Sequence, residues 1–335
     1  MKVAAVVAVL LMGLASGSPI PAAQPAAADE RPASGPRSAS RRPQRLGDAI
    51  REAIRIVPNL PYAETDNPRQ RLDLFLPKHS ATDSRPPLLV FIHGGGWQKG
   101  DRRSGLGILA PLVASGQYAG ASIGYRLTDE ARWPAQIHDC KAAIRWLRGN
   151  ADRHGFNADR IAVIGTSAGG HLVAMLGTSG GVPELEGELG RFADQSSRVD
   201  CVIDFFGPSD LTTMGGWHDS PDSPEARLLG GTISEKQAIA REASPVHSVT
   251  SDDPPFLIIH GTADRVVPFD QSVELQRKLE NAGATALLIP IQGGGHGRFR
   301  NQELERRISA FLENHLHGGN RPVAIEPIAA LPRNR

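Results

Sequence analysis

The residues best placed to do chemistry are grouped around one serine. Gly165-Thr166-Ser167-Ala168-Gly169 follows an apolar run at 160–165 and precedes another at 171–176. Glycines two positions either side of a serine, between a strand and a helix, are what a nucleophile elbow requires. The sharp turn strains the serine backbone, and the glycines remove side chains that would clash. The hydroxyl then stands at a helix N-terminus, whose unpaired amides favour developing negative charge. A glycine-serine-glycine spacing also arises by chance in ordinary turns, so the flanking strand and helix are what make Ser167 the predicted nucleophile.

Two further clusters supply what such a serine needs. His93-Gly94-Gly95-Gly96-Trp97 follows the apolar run PLLVFI. Bare glycine backbone there can aim amide hydrogens at the oxygen of a tetrahedral intermediate, together with the amide of Ala168. A flexible glycine loop would account for the glycines but not for their position after that run. Gly96 and Trp97 are then expected to touch substrate, Trp97 as a pocket wall, and His93 to be an orienting or packed residue. The run PPFLIIH leads into Gly261-Thr262-Ala263-Asp264, and ALLIPI leads into Gly293-Gly294-Gly295-His296-Gly297. Asp264 as the orienting acid and His296 as the general base complete the chain order serine, aspartate, histidine. Asp252 and Asp253 precede their strand and Asp270 falls in the next helix, so each is the weaker candidate for the acid.

These residues must be held by a scaffold, and the pattern between them is strand, glycine-rich turn, helix, repeated. That argues for helices packed on a mostly parallel sheet. Strands are expected at 55–62, 71–76, 87–92, 118–125, 160–165, 199–206, 255–260 and 284–290. Helices are expected at 134–153, where Ile137, Cys140, Ala143, Ile144 and Leu147 recur at helical spacing, and near 270–282 and 301–315. The stretches 180–197 and 208–250 leave the alternation. Long excursions usually cover or line a site, which makes both lid or pocket candidates.

The first residues run from one lysine through the apolar stretch Val3 to Leu14 to small residues and prolines. That stretch is too short for a bilayer span of about 20 residues and reads as an export signal over 1–28, with small residues before Asp29 as the cleavage region. An uncleaved anchor is the alternative. Residues 29–45, rich in Pro, Ser, Ala and Arg, read as a flexible linker, 46–317 as the catalytic domain, and 318–335 as a disordered tail. A secreted or periplasmic location follows from the export signal, with no stable membrane insertion once it is cleaved.

The chain has 335 residues, 40% of them apolar, and a formal net charge of +1. It can bury a core, and its near-neutral charge points away from nucleic acid and towards a small or neutral substrate. No HExxH or paired-cysteine spacing and no GxGxxG after the first strand is present, so neither a metal nor a nucleotide cofactor is expected. His260 and His171 read as packed residues. Cys140 and Cys201 are assigned to a helix and to the far end of a strand, and so are predicted to be buried free thiols despite export.

HGGGW, GYRL at 124–127, PAQIHDCKAAIRWLR, GTSAGGH, DFFGPSDL, HGTADRVVP and GGGHG together resemble the hormone-sensitive-lipase-type esterases, nearest to bacterial bifunctional acetylxylan and feruloyl esterases. The resemblance runs from about Leu60 to His315. It implies an α/β-hydrolase fold, here with a mostly parallel eight-stranded sheet, helices on both faces and short lid-like insertions. It also implies a cofactor-free serine carboxylesterase acting on short-chain or aromatic acyl esters, acetyl or feruloyl groups on carbohydrate included. Ser167, Asp264 and His296 match the triad, and Gly94, Gly95 and Ala168 the oxyanion hole. Arg126 is implied to pair with Asp139. The alternatives are a peptidase resembling prolyl oligopeptidases and a catalytically silent binding module on the same fold. The oligomeric state stays open.

Overall fold

A computed structural model describes residues 42–297, 299 and 301–330. The expected signal segment 1–28 and most of the expected linker lie outside them. Nine strands form one sheet: β1 (Ile54–Pro61), β2 (Arg71–Pro77), β3 (Pro87–Ile92), β4 (Ala119–Ile123), β5 (Asn157–Thr166), β6 (Cys201–Phe205), β7 (Phe256–Gly261), β8 (Ala286–Gln292) and β9 (Ile328–Ala329). Their order is β1-β2-β4-β3-β5-β6-β7-β8-β9. β2 runs antiparallel to β1 and β4, and every other pairing is parallel.

The helices are α1 (Arg42–Ala53), α2 (Leu106–Ala114), α3 (Ala135–Gly149), α4 (Ala151–His154), α5 (Ala168–Thr178), α6 (Pro183–Glu186), α7 (Pro224–Leu229), α8 (Gln237–Glu242), α9 (Asp270–Ala282) and α10 (Gln302–His317). Alternate residues of each central strand serve opposite faces. Leu88, Val90 and Ile92 of β3 join a core built with α3, α5 and α9, whereas Leu89 and Phe91 join one built with α2 and α10. Covered on both faces, β3 is apolar without interruption, as a buried parallel strand should be.

Three expectations change. The sheet has nine strands rather than eight, because Ile328 and Ala329 pair with Ile291 and Gln292 and so draw part of the expected tail onto the sheet. The last residues of the expected linker, from Arg42, begin α1. α2 was not anticipated: it contains Gly107 and Pro111, and apolar side chains on all sides leave no amphipathic period to read.

The excursion 180–197 lies along α3. Glu186 receives Lys141 Nζ at 2.7 Å, Arg145 Nη1 at 3.2 Å and Ser197 Oγ at 2.8 Å, so this segment braces a helix. The excursion 208–250 crosses the carboxyl ends of the strands. Ser209 N and Asp210 N donate to Gln271 Oε1, and Pro224 packs on the glycine run after β3.

Candidate active site

Ser167 joins β5 to α5 with φ 55 and ψ −123, a conformation costly for a residue with a side chain. The surroundings over-determine it. Ser167 N donates to Phe205 O at 2.9 Å, and His171 N donates to Ser167 O at 2.9 Å. A side chain at Gly165 would collide with Gly169 O, and one at Gly169 with Ile92 O. The two glycines of the motif therefore let β5, β3 and α5 close on one another, and the serine hydroxyl is lifted above the sheet.

The imidazole of His296 stands over it. Its Nε2 lies 3.0 Å from Ser167 Oγ and its Nδ1 lies 2.7 Å from Asp264 Oδ2. Because the carboxylate only accepts, Nδ1 carries the proton and Nε2 presents its lone pair to the serine hydroxyl. Asp264 Oδ1 accepts from Val266 N at 2.7 Å and Val267 N at 3.0 Å, which fixes the carboxylate plane. Burial alone would raise the Asp264 pKa, but hydrogen bonds from His260 and His296 and from the Val266 amide override it. The carboxyl is held well below the usual range.

His260, expected to be a packed residue, is packed but also bears on the acid: its Nε2 is 3.2 Å from Asp264 Oδ2. The four-residue interval between the two was the only sign of this in the sequence. Phe206 gave no local sign at all. It follows β6 with φ 46, and its ring meets His296 edge-to-face with centroids 4.6 Å apart. Beneath it, Asp204 Oδ1 accepts from Gly207 N at 2.9 Å, and burial raises the Asp204 pKa to about 7.

The glycine run after β3 folds over the elbow. A side chain at Gly94 would reach 2.5 Å from Thr166 O and 3.2 Å from Ser167 Cβ. Gly95, Gly96 and Trp97 all have positive φ, at 121, 60 and 56. His93 is packed, stacked on Tyr125 at 4.4 Å, while Tyr125 Oη donates to His93 O at 3.0 Å. Ala168 is the first residue of α5, with its amide among the free donors of that helix. Gly94 and Ala168 thus lie beside Ser167, while a side chain at Gly95 would meet Lys99 O.

Trp97 differs from expectation. It is 2% exposed and forms no pocket wall. Its Nε1 donates to His171 Nδ1 at 3.2 Å, and His171 Nε2 donates to Ala243 O at 2.6 Å. Burial lowers the His171 pKa to about 4, so the ring is neutral and both nitrogens are used. It links the glycine run, α5 and the long excursion. Gly96 is half-buried and faces Pro224.

Arg126 clasps Asp139 with Nε at 2.9 Å from Oδ2 and Nη2 at 2.8 Å from Oδ1, and Gln70 Nε2 donates to Oδ1 at 2.7 Å. Among the described residues, no group of three or more His, Cys, Asp or Glu could hold a metal ion.

Residues 72–279 match the family model BD-FAE. The chain belongs to the BD-FAE family. The matched region contains Ser167 and Asp264 and stops before His296. This BD-FAE protein is 37% identical over 278 residues to Esterase LipC of Mycobacterium tuberculosis, across 78% of this chain and 66% of LipC. It thus spans just under two thirds of that relative's length. Among solved structures, it is similar to a truncated carbohydrate esterase from gut microbiota at TM-score 0.74 and 34% identity, covering 78% of this chain and 96% of that one. Similarity to the butyrate-bound Est2 of Thermogutta terrifontis has TM-score 0.64 and 26% identity, over 80% and 97% of the two chains. The BD-FAE chain therefore shares the α/β-hydrolase architecture of esterases.

Proposed function

We propose that this protein is a serine carboxylesterase that hydrolyses short-chain or aromatic acyl esters, including acetyl or feruloyl groups on carbohydrate, through an acyl-enzyme. The observation that carries the reading is His296 bridging Ser167 Oγ at 3.0 Å and Asp264 Oδ2 at 2.7 Å. In this mechanism His296 Nε2 takes the hydroxyl proton as Oγ attacks the ester carbonyl. Asp264 remains ionised and steadies the imidazolium. The oxyanion is received by amides drawn from Gly94, Gly95 and Ala168, each donor lowering the barrier by about 3 to 4 kcal/mol. Collapse expels the alcohol, which takes the proton from His296. Water then attacks the acyl-serine with His296 again as base, returning Ser167 and releasing the acid.

The gut carbohydrate esterase supports the carbohydrate part of the proposal, and the butyrate held by Est2 supports the short acyl part. Export belongs to the same reading and rests on the apolar run Val3 to Leu14. The test is twofold. A fluorophosphonate should label the wild type and not Ser167→Ala. Ser167→Ala should also lose several orders of magnitude of p-nitrophenyl acetate turnover while keeping its melting temperature. Wild-type turnover in that variant would overturn the assignment.

A further inference from the structure

The four tryptophans divide into two kinds. Trp97, Trp133 and Trp146 are buried, whereas Trp217 is 50% exposed, the only exposed Phe, Tyr or Trp side chain among the described residues. A single exposed apolar residue is ordinary, but an indole held out in water forgoes burial of a large apolar area. Here the indole rests against a neighbouring ring. It lies in a 3-10 turn, Gly216–Asp219, with its ring 4.2 Å from the ring of His218. His218 is buried, and its Nδ1 is 3.1 Å from Oε1 of buried Glu225. Pro224, one residue earlier, packs on Gly96, so close that a Cβ there would sit 3.4 Å from Pro224 Cβ. A continuous path, Trp217–His218 to Glu225–Pro224 to Gly96, thus leads from the exposed indole to the glycine run over Ser167. Asp219 and Asp222, both exposed, follow Trp217 two and five residues along the chain and carry hydrogen-bond acceptors.

We infer that Trp217 is a stacking platform for a pyranose ring in the alcohol half of the ester, and hence a specificity-determining residue. The inference rests on the carboxylesterase reading and names its substrate side. One face of a pyranose presents C–H groups that pack on the electron-rich face of an indole, while its hydroxyls need polar neighbours. Trp217 with Asp219 and Asp222 provides that combination. The ester carbonyl must reach Ser167 Oγ beside Gly94, and in a carbohydrate ester the hydrated half that extends from it is the sugar alcohol. The exposed indole is suited to that half.

The discriminating quantity is a ratio, kcat/KM on acetylated xylo-oligosaccharides divided by kcat/KM on p-nitrophenyl acetate. Trp217→Ala should lower it about tenfold, mainly through KM for the oligosaccharide, and Trp217→Phe should restore most of it. A ratio unchanged in Trp217→Ala would overturn the inference. So would an equal loss on methyl ferulate, which carries no sugar and would move the indole to the acyl side. A binding arm is independent of turnover. Unacetylated xylo-oligosaccharide added to Ser167→Ala should shift the emission of the exposed tryptophan to the blue and shield it from acrylamide. Ser167→Ala/Trp217→Ala should show neither effect, and absence of both in Ser167→Ala would overturn the platform. Wild-type protein inert towards p-nitrophenyl acetate would instead sink the esterase reading, and the fluorescence arm would then decide on Trp217 alone.

Discussion

Asp264 and Asp204 are both buried carboxyls near the serine, and their surroundings drive them in opposite directions. Asp264 accepts from two ring nitrogens and two amides, so it is ionised across the working range and can orient His296. Asp264→Asn should leave the fold intact but favour the wrong tautomer of His296, lowering kcat on p-nitrophenyl acetate by about three to four orders of magnitude. Asp204 has a single acceptor bond, from Gly207 N, and its Oδ2 has no partner among the described residues. Its pKa is raised to about 7, so between the usual carboxylate range and 7 the folded protein holds a proton that the unfolded chain has released. By linkage, this group's contribution to stability is greatest at low pH, declines as pH rises towards 7, and is flat above it. Asp204→Asn keeps a carbonyl for Gly207 and cannot ionise. Urea denaturation from pH 4.5 to 8 should show less decline with rising pH in Asp204→Asn than in wild type. Identical slopes would contradict the assignment.

The elbow depends on elements meeting at very short range, which makes its glycines sensitive to a single methyl group. Gly94→Ala would set a Cβ 2.5 Å from Thr166 O, forcing the glycine run away from Ser167. Displacement on the scale of an ångström costs about 100-fold in rate, so turnover should fall by at least that factor while circular dichroism stays native. The Arg126–Asp139 pair fixes a different junction, between the end of β4 and α3. Asp139 is fully buried and also accepts from Arg126 N at 2.8 Å, so Asp139→Ala strands both an amide and a guanidinium. A loss of about 3 kcal/mol or more in denaturant stability is expected.

Over the whole molecule, the apolar residues of the long excursion are already spent in the interior. Leu211, Met214, Leu228, Leu229 and Ile233 are buried in the core shared with α3 and α5, so no broad apolar face remains to meet an oil surface. Acetyl to butyryl esters should therefore be turned over far faster than chains of twelve carbons, with no rise in rate as substrate passes its solubility limit. Preference for emulsified triglycerides would contradict this. Cys140 and Cys201 belong to cores on opposite faces of the sheet and are free and buried. Burial pushes both thiols up, so a thiol reagent should titrate neither in native protein and both after denaturation without reductant.

The sequence determined the elements that its neighbours in the chain decide. β3 and α9 fall at their expected residues, and the elbow could be read because the glycines that relieve its strain stand within two positions of Ser167. Asp264 and His296 could be placed because each follows a strand that ends on the same edge of the sheet. Tertiary structure decided what depends on residues distant in the chain. Trp97 is drawn inward by His171, 74 residues away, and Phe206 and His260 reach the triad only once β6, β7 and β8 lie side by side. Two residues of β9 carry no readable period, and β8 alone makes them a strand. Local steric rules act between neighbours and leave a spacing in the sequence. Packing and hydrogen bonding across the fold select partners by position in space, and leave none.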